Sequence, residues 1–289
     1  MKTTMPSQGL DALLPPEMAT RAEEIGVKKA SMDAVTLLAL AVLAGAFIAL
    51  GGVFATVALA GAENAPWGAT RVLAGFVFSL GLILVVVGGA ELFTGNNLIV
   101  MAWAGGRIGT LALLRNWAIV YVGNFVGALS IALAVLLAGT HRAGAGAFGA
   151  TALRIAADKL GLEFGQAVML GILCNVLVCL AVWLALSART TADRILAVVP
   201  PVAAFVAAGF EHSIANMYFV PLGLFINAFD PAFVAARGLE APARILSWSA
   251  FFGRNLLPVT IGNVIGGALL VGGVYWFVYL RAKGSASEV

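Results

Sequence analysis

Charged side chains are so widely spaced that the chain reads as eight uncharged runs, covering residues 34–62, 72–90, 92–106, 116–140, 164–188, 195–210, 213–229 and 255–280. Runs 34–62, 116–140, 164–188 and 255–280 each suit a single membrane-spanning helix of about 20 residues. The other four fall into two pairs. Arg71 and Arg107 enclose 35 residues interrupted only by Glu91, and Arg194 and Asp230 enclose 35 interrupted only by Glu211 and His212. An unbroken helix of that length would reach about 50 Å, against a hydrocarbon core of about 30 Å. Each pair is therefore predicted to be two half-helices joined by an unwound turn. The turn sequences, GGAELFTGNN and AAGFEHSIAN, supply residues that break a helix or cap the next one. The pattern predicts an all-α integral membrane protein with six transmembrane helices, the second and fifth broken.

The two breaks share a spacing. Gly89, Glu91 and Asn96 repeat as Gly209, Glu211 and Asn216, both reading G-x-E-x4-N. A second pair follows: Arg115-Asn116 before Gly123-Asn124 and Gly127, and Arg254-Asn255 before Gly262-Asn263 and Gly266. Two patterns recurring in the same order predict two three-helix halves. Three crossings per half invert the second half relative to the first. Breaks at matching places of inverted repeats point to a substrate site near the membrane midplane.

Composition supports the membrane assignment: 61% of the 289 residues are hydrophobic and 11% charged, where soluble domains carry about 25% charged residues. The first apolar run begins only at residue 34, behind a charged segment, so no signal peptide is expected. Ten of the 17 Lys and Arg fall on the side holding both termini, which favours cytoplasmic termini and an inner (plasma) membrane location. Residues 1–33 form an N-terminal cytoplasmic amphipathic segment, 34–281 the six-helix domain and 282–289 a cytoplasmic tail. Segment 141–163 is expected to be an external loop. Trp67, Trp103, Trp117, Trp183 and Trp276 lie near span ends, as interfacial anchors do.

Several chemistries are excluded by what the chain offers. Cys174 and Cys179 sit five apart on different helix faces, so no intrachain disulfide is implied. Two distant histidines and separated cysteines make no metal site, and no cofactor is expected. No G-x-S-x-G elbow is present. Gly144 to Gly149 spell G-x-G-x-x-G, but between spans and with no preceding strand, so they read as a connector. No basic block suggests nucleic acid.

The segments AELFTGN (90–96), CNVLVCLAVW (174–183), GFEHSIANM (209–217) and VTIGNVIGGALLVGGVYW (259–276) resemble the formate/nitrite transporter family over nearly the whole chain. The N-terminal LLPPEMATRAEEIGVKKA is closest to the formate channel branch, while ELFTGN also resembles the nitrite branch. The similar formate channels carry Asp where this chain has Glu91. The resemblance implies an aquaporin-like fold, a homopentamer and one pore per protomer.

His212 is the only histidine inside an apolar span. At the midplane a cationic ring is expensive, whereas a neutral imidazole can exchange a proton near physiological pH. If His212 donates a proton, an anion crosses as the neutral acid. If it only hydrogen-bonds, half-helix N-termini must help compensate the charge. Thr94, in the matching turn, is either an N-cap or a hydroxyl donor, and in similar channels it faces the histidine. Glu91 and Glu211 are expected to be structural, bonding backbone N–H groups of the turns. Asn175 reads as interhelical glue and Lys159 as a loop charge, but the resemblance puts both on the periplasmic approach to the pore. Phe78, Leu82, Leu92, Phe93 and Phe205 match apolar positions that narrow similar pores, where dewetting rejects hydrated ions. Asn124 and Asn263 read as helix-packing residues. Residues 15–29 suit an amphipathic helix, either resting at the cytoplasmic interface or acting as a pH-dependent gate below the pore.

The expected function is a channel or proton-coupled transporter for small monovalent anions, formate first. Nitrite or hydrosulfide is the alternative within the class. A neutral-solute pore would carry paired Asn-Pro-Ala turns, which are absent, and a membrane-embedded enzyme lacks a reactive cluster.

Overall fold

In the computed structural model, which describes residues 12–281, helix α1 (Pro15–Ala30) precedes the first long span, α2 (Ala34–Leu59). Asp33 caps α2 by accepting from the backbone N–H groups of Val35 and Thr36. The first break separates α3 (Trp67–Gly88) from α4 (Phe93–Asn96), which continues through a 3₁₀ turn into α5 (Val100–Ala104). The long helix α6 (Thr110–Leu137) completes the first half.

The second half repeats this order. It comprises α7 (Ala147–Leu160), α8 (Phe164–Ser187), α9 (Thr191–Ala207) and, after the second break, α10 (Ser213–Phe229). The short helices α11 (Pro231–Ala236) and α12 (Glu240–Ala243) lead to the last span, α13 (Trp248–Tyr279). Helix α13 is π-wound over Phe251–Leu256 and Ile265–Gly273. Five of these helices are long and apolar enough to cross a bilayer. The two 17-residue helices around the second break supply the remaining crossing.

Helix α7 corrects the expectation of an external loop over 141–163. Its buried face is rich in alanine, including Ala150, Ala152, Ala156 and Ala157, and Ala152 and Ala156 lie against Gly223 of α10. Alanine carries high helix propensity and a small volume that lets two helices approach. The duplication thus extends beyond three helices: each half opens with an amphipathic helix, α1 or α7.

Small residues set the packing between spans. A β-carbon on Gly127 would collide with the carbonyl of Val42, and one on its repeat mate Gly266 with that of Ile172. Helices α2 and α6 therefore touch backbone to backbone, and so do α8 and α13. On the α1 side, Met18, Ala19 and Ala22 bury against Met101, Trp183 and Leu280. Trp183 is 3% exposed and stacks on Tyr275 at 4.0 Å, so it is a packing residue and not an interfacial anchor. Trp67, at 76% exposure, fits the anchor role.

On the opposite side Asp230 binds Arg142 Nη2 at 2.7 Å and His141 Nε2 at 3.0 Å. Those partners, Arg142 first, hold its carboxyl down at about 2. A depressed carboxylate stabilises the fold fully above its unfolded value of 3.8 and loses that contribution as the pH falls toward about 2. We predict that wild type melts above Asp230→Asn at pH 6 and that the gap closes between about pH 4 and about pH 2. A gap independent of pH would remove this clasp from the stability of the α7 side.

Candidate functional site

Within a bilayer an unwound turn must find partners for its backbone groups without water. Gly89 and Gly209 end their helices with φ of 78° and 76°, a left-handed conformation that only glycine adopts readily. One amide side chain then secures each turn. Asn124 on α6 donates to the carbonyls of Glu91 (2.9 Å) and Ala41 (2.7 Å), while its Oδ1 accepts from Phe93 N–H at 2.9 Å. Asn263 on α13 does the same for Glu211 (3.0 Å), Gly171 (2.8 Å) and Ser213 N–H (2.9 Å). These two residues, expected to pack helices, also cap the second half of each broken helix.

The glutamates were expected to bond the backbone of the turns through their carboxylates, and they do not. Glu91 Oε1 pairs with Lys29 at 3.1 Å, and Glu211 Oε1 with Lys159 at 2.7 Å. The second oxygen of each accepts from Asn96 Nδ2 (2.8 Å) or Asn216 Nδ2 (2.6 Å). Those amides also donate to Asn116 and Asn255, which in turn hold the carbonyls of Lys29 and Lys159. Each half thus carries the same cycle of one Lys, one Glu and two Asn. The reason is electrostatic: a buried carboxylate needs a cation more than it needs neutral donors. Lys29 was not among the expected site residues. A signal was available, since Lys29 and Lys159 each stand four residues before the acidic N-cap of a long span, Asp33 or Glu163.

Lys159 therefore lies in the last turn of α7, 15% exposed and ion-paired, and is not a free loop charge. Asn175 is fully buried and lines neither chamber described below. Its Nδ2 lies within donating distance of Asn263 O (2.6 Å), Asn97 Oδ1 (2.9 Å) and Thr94 O (3.3 Å), which ties the segment after the first break to α13. The Cys179 thiol adds a bond to Thr94 O at 3.3 Å.

The turns meet at Thr94 and His212. Thr94 Oγ1 lies 3.1 Å from His212 Nε2. His212 is the N-cap of α10, and its Nδ1 accepts from Ala215 N–H at 3.1 Å. A ring that accepts at Nδ1 while neutral carries its proton on Nε2, so Nε2–H donates to Thr94. The Thr94 hydroxyl proton is then free to point elsewhere.

Two cavities of about 250 and 240 Å³ flank this contact and share no lining residue. The α7-side chamber includes Arg71, Phe78, Lys159, Phe205, Glu211 and His212. The α1-side chamber includes Lys29, Leu82, Glu91 and Leu92, and is also lined by Ala22, Ile25 and Gly26 of α1. Phe78 and Leu82 stand one turn apart on α3, one in each chamber, so the partition is about a single helical turn thick. The Phe205 ring stacks on His212 with centroids 5.8 Å apart and meets Phe78 edge-on at 5.9 Å. Phe93 departs from the expected constriction set. Its ring turns away from both chambers onto Tyr121 (4.9 Å) and Trp117 (6.1 Å), because its backbone is held by Asn124.

Two broken helices that hold a histidine between two separate chambers define a membrane transport protein rather than an enzyme. The family model described as "Formate/nitrite transporter" matches residues 16–277. The chain is 48% identical to the formate channel FocA of Escherichia coli (strain K12) across 94% of its own length and 96% of that protein. It is 42% identical to formate channel FocA of Haemophilus influenzae, covering 90% and 93% of the two chains. Among solved structures it matches a "pentameric formate channel with formate bound" (TM-score 0.81, 44% identity, 86% and 98% coverage). It also matches an "FNT family ion channel" (TM-score 0.78, 25% identity, 91% and 98% coverage). The chain belongs to the formate/nitrite transporter family.

The Lys–Glu pairs give a direct test. Lys159→Met strands a buried carboxylate and is expected to destabilise the protein by about 3–5 kcal/mol. Adding Glu211→Gln should recover most of that loss in thermal unfolding of the detergent-solubilised protein. A double variant no better than the single one would show that the pair does not act as a unit.

Proposed function

We propose that this protein is a channel for formate and related small monocarboxylates, assembled as a homopentamer in the inner membrane with α1 on the cytoplasmic side. The observation that carries the reading is the Thr94–His212 contact, the polar junction of a partition otherwise lined by Phe78, Phe205, Leu82 and Leu92. Close relatives named formate channels, and a pentameric structural neighbour, support the substrate and the assembly. The cytoplasmic placement of α1 rests on the Lys and Arg excess on that side.

The geometry favours a fixed donor at the partition. With Nδ1 held by Ala215, the neutral ring gives its Nε2 proton to Thr94, and the Thr94 hydroxyl is left to bond the permeating carboxylate. The N-terminal end of α10 adds a favourable dipole for negative charge. The apolar rings strip hydration, so only an ion small enough to be held by these few donors passes. Proton relay through His212 is the second reading. It requires protonation at Nδ1, which breaks the cap on Ala215, so each transfer would have to loosen the first turn of α10.

Formate flux into proteoliposomes tests both. His212→Phe removes the donor to Thr94, and we expect flux to fall at least about tenfold, the weight of one hydrogen bond to a charged group. Undiminished flux sinks the assignment of His212. One proton moving per formate in wild type, lost in His212→Asn, would replace the fixed-donor reading with the relay. Separately, Leu82→Ala thins the partition and is expected to raise conductance for anions larger than formate; unaltered conductance removes Leu82 from the constriction.

A further inference from the structure

The chamber on the α7 side contains a cation with no counterpart on the α1 side. Arg71, in the second turn of α3, lines that chamber and is half-buried. The position equally far ahead of the second break glycine, Gly209, is Thr191, and among the described residues Lys29 is the only basic one lining the α1-side chamber. Here the two halves of the duplicated fold part company.

The environment of Arg71 is unusual for a cation at this depth. Its Nη2 donates to Val206 O at 2.7 Å and its Nε to Ala207 O at 3.1 Å. Both carbonyls belong to the last turn of α9, the negative end of that half-helix, and Val206 itself lines the chamber. Among the described residues no carboxylate lies within ion-pair distance of Arg71. Lys159, the chamber's other cation, is committed to Glu211 at 2.7 Å. Asp158 also lines the chamber, but it is exposed and its charge is screened by water. Arg71 thus makes no ion pair of its own; the Glu211 carboxylate acts on it only through space while bound to Lys159, and two of the five Arg71 N–H groups are in use.

We propose that Arg71 forms an outer anion subsite in the α7-side chamber, ahead of Thr94 and His212, for a small planar carboxylate. The guanidinium does two things at once. It screens carbonyl dipoles that would otherwise repel an anion from the chamber. It also offers its remaining N–H groups in the planar fork that matches a carboxylate. Because no such cation guards the α1-side chamber, anion capture is stronger from the α7 face. The subsite rests on the channel reading above for its role in flux, though not for its capacity to bind.

Two measurements separate those claims. In proteoliposomes of uniform orientation, we expect Arg71→Gln to raise the half-saturating formate concentration from the α7 face by about tenfold. Half-saturation and limiting flux from the α1 face should stay within about twofold, and detailed balance along a passive path then requires the limiting flux from the α7 face to rise together with its half-saturation. Arg71→Lys keeps the charge without the fork and should fall between. An unchanged half-saturation in Arg71→Gln overturns the subsite. So does an equal loss of limiting flux from both faces with half-saturation intact, which would make Arg71 a strut for α9 only. Should Arg71→Gln fail to fold, Arg71→Lys and the wild-type salt dependence decide. Half-saturation from the α7 face that ignores a rise from about 50 to about 500 mM salt counts against a charge-based site. Binding of ¹³C-formate to the detergent-solubilised protein, followed by NMR line broadening, reads the subsite without flux. Loss of broadening in Arg71→Gln supports it even if wild type conducts no formate, whereas equal broadening in both overturns it.

Discussion

Everything at the centre of this protein depends on two side-chain amides that satisfy backbone groups where no water is available. Asn124 and Asn263 each accept from the first N–H after a break and donate to the carbonyl of the break glutamate. An unpaired amide in hydrocarbon costs several kcal/mol, so without these clamps the two turns would rewind into helix. Rewinding would carry Thr94 and His212 away from one another. The 3.1 Å contact between them is therefore a product of bonds made one helix further along each half.

Around each clamp lies a cycle of one lysine, one glutamate and two asparagines, repeated with nearly the same distances in both halves. The cycle attaches the amphipathic helix, α1 or α7, to the turn it covers. Each chamber is thereby built from a broken helix and a helix lying across its mouth. The two chambers differ in their rings, Phe78, Phe205 and His212 against Leu82 and Leu92, and in Arg71, which lines only the α7-side one.

Much of this was legible in the sequence because bilayer physics leaves few solutions. Runs of 35 residues interrupted by one or two charges could not be straight helices, and the paired G-x-E-x4-N and R-N-x6-G-N-x-x-G spacings located both breaks and both clamps. The side-chain pairings are less legible, because they depend on partners from distant parts of the chain. Nothing near Glu91 announces Lys29, 62 positions earlier. Helix α7 was missed because its short, alanine-rich stretch carries no hydropathy strong enough to mark a span. Phe93 and Leu92 are neighbours with like hydrophobicity, and only the bond from Asn124 to the Phe93 backbone decides which of them faces a chamber.

The position of the clamps along the chain has a bearing on biogenesis. When α3 and the turn after it leave the ribosome, Asn124 lies 31 residues behind Phe93, and a longer delay of 50 residues separates Ser213 in the second turn from Asn263. Until α6 or α13 enters the bilayer, each turn has unmet polar groups and cannot rest in lipid in its final form. The nascent chain must therefore keep each broken segment in a wetter setting, or as a provisional straight helix, and complete it only as the third span of that half arrives. Integration of this protein proceeds by halves, with the ion pathway appearing last.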